Sequence, residues 1–184
     1  MIEKIPNILS VARIVSAPVM LIVSFFGLSN AFLSILLFAF ISDGLDGFVA
    51  RCFNCQSGVG GRLDTWGDFA VFLVLPYCVY MLWPSIIYEE LLFVAIAGIS
   101  MAIPLLVGFI KFKRMISFHT YLSKVSFFVM SLSVCVLLLI DFRWLFHFAV
   151  FVQLISSLEL LLIILRLREY RWRVKSYLSL YRND

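Results

Sequence analysis

Six apolar runs, at approximately residues 8–28, 31–50, 63–83, 91–110, 122–140 and 144–165, take up most of the chain. Each is close to the ~20 residues that a helix needs to cross the hydrocarbon of a bilayer. The joints between them carry turn-forming or charged punctuation: GLSN at 27–30, WPSIIYEE at 83–90, KFKRMISFHT at 111–120 and IDFR at 140–143. With 63% hydrophobic residues, 14% charged residues and a mean hydropathy of +1.05, the chain lacks the polar surface of a soluble domain. The expected fold is all-α, a polytopic membrane protein of six transmembrane helices forming one domain over residues 1–184. No internal repeat or low-complexity segment divides it. The start, MIEKIPNILSVARIV, is read as retained, because Arg13 and Pro18 interrupt the apolar stretch that a cleaved leader would need.

The basic residues fix an expected orientation. With the spans numbered as above, Lys4, Arg13, Arg51, Arg62, Lys111, Lys113, Arg114, Lys124, Arg166, Arg168, Arg171, Arg173, Lys175 and Arg182 fall on one side. Only Arg143 falls on the other, so 14 of the 15 Lys and Arg share a face. By the positive-inside rule that face is cytoplasmic and both termini lie inside. A miscount by one helix would scramble this segregation. The net charge of +4 therefore reflects topology, and no nucleic-acid partner is implied. The basic, aromatic tail R-L-R-E-Y-R-W-R-V-K-S-Y suits an interfacial segment resting on anionic lipid.

Against this apolar background stand four acids. Asp43 and Asp46 are three residues apart at the end of the second run, and Asp64 and Asp68 are four apart at the start of the third. Each pair shares one helix face. A short loop makes the two helices antiparallel neighbours, so all four acids come to one depth near the cytoplasmic surface. An intramembrane carboxylate costs roughly 2.5–3.5 kcal/mol on insertion scales and calls for a compensating partner. Arg51 and Arg62 do not balance four negative charges. Oxygen-only ligands suit hard divalent cations such as Mg²⁺ or Mn²⁺. Two such ions would neutralise the cluster and present coordination positions to phosphate oxygens. Gly44 and Gly47 remove side chains beside the acids, and Gly58, Gly60 and Gly61 are expected to loosen the start of the third helix.

The stretch 43–68, DGLDGFVARCFNCQSGVGGRLDTWGD, has the pattern D-x-x-D-G-x-x-A-R, eight residues, G-x-x-x-D-x-x-x-D, with Gly60 as the second-half glycine. It resembles the signature of the CDP-alcohol phosphatidyltransferases, a family of integral membrane enzymes. I-P-N-I-L-S-V-A-R-I-V-S-A-P near the N-terminus resembles, more loosely, the opening of many members. The resemblance implies that an alcohol's hydroxyl displaces CMP from a CDP-alcohol, usually CDP-diacylglycerol, to form a phosphodiester. It further implies that Asp43, Asp46, Asp64 and Asp68 hold two divalent cations and that Asp68 is also the general base. Gly47 would admit the nucleotide, Arg51 would bind diphosphate oxygens, and Ser57 would lie near the nucleotide. A homodimer is common among members, although the sequence shows no dimer motif. The expected location is a bacterial inner membrane with the site facing the cytoplasm.

The acceptor is left between glycerol-3-phosphate and serine. Phe69 stands where many glycerophosphate-using members have Lys, and D-F-A-V-F-L-V-L-P, with Phe72 and Pro76, looks more like serine-using members. Lys111, Lys113, Arg114 and Lys124 pull the other way, as cations able to receive an acceptor phosphate. A membrane cation transporter with the acids as its ion site is the competing reading. It needs polar groups reaching toward the far side, and the outer halves of the helices are nearly free of them. A catalytically inactive member with a scaffolding role is a third reading, but no motif position is missing.

Other chemistry-bearing residues have simpler expected roles. Cys52 and Cys55 form a C-x-x-C without the second pair or the histidine that a zinc site needs. His119 suggests a capping or interfacial position, and His147 a packed or interfacial one. Glu159, deep in the last run, is expected to pair with a polar group or to line the acceptor cavity. Trp83, Tyr88 and Trp144 fit an outer aromatic belt, with Tyr170 and Trp172 in an inner one.

Overall fold

The computed structural model describes the backbone of residues 5–52, 58–113 and 120–167, and the side chains of residues 8–42, 66–113 and 120–167. Its elements are helices α1 (Ile5–Phe25), α2 (Ser29–Cys52), α3 (Gly58–Leu82), α4 (Pro84–Glu89), α5 (Leu91–Phe112), α6 (Tyr121–Ile140) and α7 (Arg143–Arg166). No strand occurs among the described residues. Six long helices thus coincide with the six apolar runs. Among the described residues, four segments, Ile8–Phe25, Leu91–Phe112, Tyr121–Ile140 and Arg143–Arg166, are long and apolar enough to cross a membrane. In α2 and α3 the apolar stretches with described side chains, Ser29–Ser42 and Trp66–Leu82, are shorter. The short α4 was not expected. Pro84 sits in its first turn, where a missing N–H costs nothing, so part of the WPSIIYEE joint folds as a helix.

The helices group into two compact units, Met1–Leu91 and Leu92–Asp184. In the first, a Schellman motif ends α1. Gly27 N donates to Ser24 O at 3.0 Å and Leu28 N to Val23 O at 3.0 Å. Gly27 has φ +70°, which only glycine adopts cheaply. The chain then enters α2 at once.

Three helices of this unit share a register. α1 and α3 run parallel, because Arg13 meets Asp68 and, further along both helices, Ser24 lies beside Cys78. α2 and α3 run antiparallel, because Phe32 packs on Trp83 at 5.9 Å and Phe40 on Phe72 at 6.4 Å. Met20, Phe32, Leu36 and Cys78 are fully buried between them. Most of the remaining apolar surface is exposed, as suits helices solvated by lipid.

In the second unit, α6 and α7 form an antiparallel hairpin and α5 runs parallel to α7. Thr120 caps α6, accepting from Ser123 N at 3.1 Å. The expected capping position, His119, is one of the residues outside those described. At the other end Asp141 takes a left-handed cap conformation, and Arg143 donates to both its oxygens at 3.0 Å. His147 is packed as expected, stacked on Phe93 with ring centroids 3.8 Å apart.

Polar side chains join α5 to α7. Pro104 has no N–H, so the carbonyl of Ser100 loses its helical donor. Ser157 supplies another, its hydroxyl lying 2.6 Å from that carbonyl. Gln153 Nε2 adds bonds to Ala97 O at 3.0 Å and Ser100 Oγ at 3.2 Å. Lower down, Lys111 Nζ donates to Ile164 O and Leu165 O, each at 2.8 Å. A cation from α5 thus satisfies carbonyls that the end of α7 leaves open.

Candidate active site

The second apolar run continues as helix past Ser42, and α2 carries positions 43, 46, 47 and 51 in its last turns. Helix α3 begins at Gly58, earlier than its apolar pattern starts, so Gly58, Gly60 and Gly61 lie within its first turn. Glycines are poor helix formers, costing roughly 1 kcal/mol each relative to Ala, and here they are helical all the same. Positions 64 and 68 follow within about three turns of that start. Carrying the Phe40–Phe72 register onward along the antiparallel pair brings positions 43 and 46 level with 69 and 66, within a turn of 68 and 64. The side chains of Asp43, Asp46, Gly47, Arg51 and Asp64 are not among those described, and Ser57 lies outside the described residues.

Asp68 is described, and its partner comes from α1. Arg13 Nη1 donates to Asp68 Oδ1 at 2.6 Å, a short charge-assisted bond. The Arg13 side chain is only 2% exposed and that of Asp68 22%. A buried guanidinium is stable only when it is paired and hydrogen-bonded. Arg13 is therefore committed to the acid-bearing face of α3. Its own carbonyl accepts from Ser16 Oγ at 2.7 Å.

The close approach of α1 to α3 depends on the preceding residue. A Cβ on Gly67 would stand 3.3 Å from Ser10 O and 3.4 Å from both Cβ and Cδ of Arg13. Without a side chain there, the two backbones come together beside the ion pair. On the other side of Asp68, Phe69 packs edge-on against Trp66, with ring centroids 6.3 Å apart.

Sequence reasoning did not assign Arg13 to this site. It counted as one more cytoplasmic cation, and only Arg51 and Arg62 were weighed against the four acids. The signal was present: a lone arginine among apolar residues, in the N-terminal run, needs an acid at its own depth. Lys111, considered for an acceptor phosphate, instead holds the end of α7. Lys113 and Lys124 are exposed, and Arg114 lies outside the described residues. Among the described residues no group of three or more His, Cys, Asp or Glu comes together, since three of the four acids have side chains beyond that description. The four acids that the sequence pattern places along α2 and α3 would offer carboxylate oxygen throughout, a donor type that fits a hard divalent cation.

A family model described as CDP-alcohol phosphatidyltransferase matches residues 3–164. The chain belongs to the CDP-alcohol phosphatidyltransferase family. With several helices apolar enough to cross a bilayer, this member is an integral membrane protein. Over 79 residues it is 37% identical to a CDP-diacylglycerol--glycerol-3-phosphate 3-phosphatidyltransferase of Aquifex aeolicus (strain VF5). That stretch covers 40% of this chain and 43% of the relative, less than half of the protein it matches. No solved structure matches the chain. Family membership agrees with the resemblance read from residues 43–68, and the match extends through α1, which supplies Arg13, and across both compact units.

Proposed function

We propose that this chain transfers a phosphatidyl group from a CDP-alcohol, CDP-diacylglycerol by preference, to the hydroxyl of a small polar alcohol and releases CMP. One observation carries the reading: the acid signature lies on facing ends of two antiparallel helices of a family member. In this reading Asp43, Asp46, Asp64 and Asp68 form the site. Gly47 leaves room for the nucleotide, Arg51 meets the diphosphate, and Ser57 lies by the nucleotide. Bound Mg²⁺ or Mn²⁺ would neutralise the acids and stabilise charge developing on the diphosphate oxygens.

The bond changes follow from the substrates. The acceptor oxygen bonds to the phosphorus next to diacylglycerol, the bond from that phosphorus to the CMP oxygen breaks, and CMP leaves. The acceptor's proton passes to the Asp68 carboxylate. A paired aspartate is a weak base for an alcohol, so alignment of acceptor and diphosphate must supply much of the rate. Glycerol-3-phosphate is the first acceptor to test, supported by the name of the Aquifex relative, with serine second because Phe69 replaces the lysine many glycerophosphate users carry.

The two units work as one catalytic domain in this proposal, which the extent of the family match supports. Six spans, cytoplasmic termini and a site at the cytoplasmic edge of the membrane are part of the proposal, supported by the segregation of Lys and Arg, with a bacterial inner membrane as the proposed location. A homodimer is part of the same proposal.

Purified protein with CDP-diacylglycerol and Mg²⁺ or Mn²⁺ tests it. CMP release is expected with glycerol-3-phosphate or serine, and its loss in Asp68→Asn. No release with these, with inositol or with a phosphorylated inositol would reject the activity.

A further inference from the structure

Arg13 lies on a different helix from the acid signature and outside it, yet its side chain meets a signature residue: Nη1 donates to Asp68 Oδ1 at 2.6 Å. The pair is nearly sealed from solvent on the arginine side, and Gly67 lets α1 come close enough for it to form. We infer that Arg13 is a positioning residue for Asp68, a fixed cation that holds the carboxylate in one orientation and lowers the affinity of the acid cluster for divalent cations. This inference rests on the proposed reading of the acids as a cation site, and on the phosphatidyltransferase activity itself only for its kinetic arm.

Two physical effects support it. A guanidinium bonded to one carboxylate oxygen restricts rotation of the whole group, because the side chain of aspartate turns about few bonds. It also places a positive charge in contact with a ligand oxygen, in surroundings where charges act strongly on one another. The acids are then partly balanced before any metal arrives. Arg13 exchanges some cation affinity for a defined geometry, so removing it should tighten metal binding while slowing turnover. A residue that merely held α1 to α3 would weaken both.

The test uses the full-length protein in detergent micelles, with Mn²⁺ as probe and binding read from loss of the free Mn²⁺ electron paramagnetic resonance signal. Arg13→Gln is expected to bind Mn²⁺ on the order of ten-fold more tightly than wild type, the scale of removing one nearby unit charge. At saturating Mn²⁺ its kcat for CMP release should fall on the order of ten-fold or more, with KM for CDP-diacylglycerol little changed. Arg13→Lys keeps the charge without the planar fork, so its Mn²⁺ affinity should stay near wild type while kcat still falls.

Unchanged or weaker Mn²⁺ binding by a folded Arg13→Gln overturns the inference. If that variant does not fold, Arg13→Lys decides: wild-type kcat overturns it, and reduced kcat with wild-type Mn²⁺ affinity supports it. If wild type binds Mn²⁺ but releases no CMP, the proposed activity fails and the Mn²⁺ comparison alone judges Arg13. Absence of Mn²⁺ binding by wild type overturns both.

Discussion

The hydroxyl of Ser157 on α7 donates to the carbonyl of Ser100 on α5 at 2.6 Å, and Ser100 is the residue whose helical donor is lost at Pro104. In lipid an open carbonyl has no water to turn to, so the proline and the serine act as a matched pair. Ser157→Ala should cost about 1 kcal/mol in the wild-type helix. In a Pro104→Ala background, where the restored N–H can reach Ser100 O, the same change should cost less than half as much. Reversible unfolding in micelles measures the double-mutant cycle. Equal costs in both backgrounds would show that Ser157 does not answer the proline.

Gly67 makes a second, steric prediction. Its absent side chain faces the backbone of Ser10 and the stem of Arg13, at distances tighter than ordinary van der Waals contact. Gly67→Ala asks those neighbours to give by a few tenths of an ångström, whereas Gly67→Val cannot be seated without parting α1 from α3. Overpacking of this kind costs about 1–3 kcal/mol. Gly67→Val should also reduce CMP release severely, because Asp68 would lose Arg13. Alanine is expected to fall between valine and wild type. A Gly67→Val protein with wild-type melting and activity would mean that the helix approach is immaterial.

How much of this was legible beforehand depends on what kind of signal each part leaves. The long helices follow from apolar run length, since lipid accepts few other forms, and each lies within a few residues of its run. The ends were less readable. The structure starts α3 at Gly58 although three of its first four residues are glycine, because packing overrides weak propensity. Part of the WPSIIYEE joint is helical, where Trp and Pro suggested only a turn. At the site, the signature on α2 and α3 is a local pattern and could be read directly. The partner of Asp68 was legible only in part: a lone Arg13 among apolar residues calls for an acid, but which acid, 55 residues away, is decided by tertiary packing. Lys111 shows the converse: a cation free by sequence is engaged by a helix end 53 residues on.

A pH prediction concerns the α6–α7 turn. Hydrogen bonds from Arg143 to the Asp141 carboxyl, helped by the arginine's charge, hold it below its ordinary value of 3.8. A depressed folded-state value means that the stabilising contribution is complete above the ordinary value and is lost as pH falls through the depressed one. The pair is exposed, so its effect on stability should be small. The turn should therefore be unchanged from neutral pH down to the ordinary carboxylate range. Carbon-13 NMR of the Asp141 carboxyl should show a midpoint below 3.8, moving up toward it in Arg143→Gln. An unchanged midpoint in that variant would remove the arginine as the cause.

Lys111 separates a structural role from one in acceptor binding. Its ammonium meets Ile164 O and Leu165 O, where the partial negative charge of the α7 C-terminus gathers. Two of its three protons are committed to those carbonyls. Lys111→Met keeps the apolar stem and removes both bonds, which should loosen the last turn of α7 by about 1 kcal/mol. Hydrogen exchange over residues 160–167 should speed up accordingly, while exchange in α6 stays the same. If glycerol-3-phosphate proves to be an acceptor, its KM should change little in this variant. A large rise in that KM with unchanged exchange at the end of α7 would reverse the assignment and return Lys111 to the acceptor site.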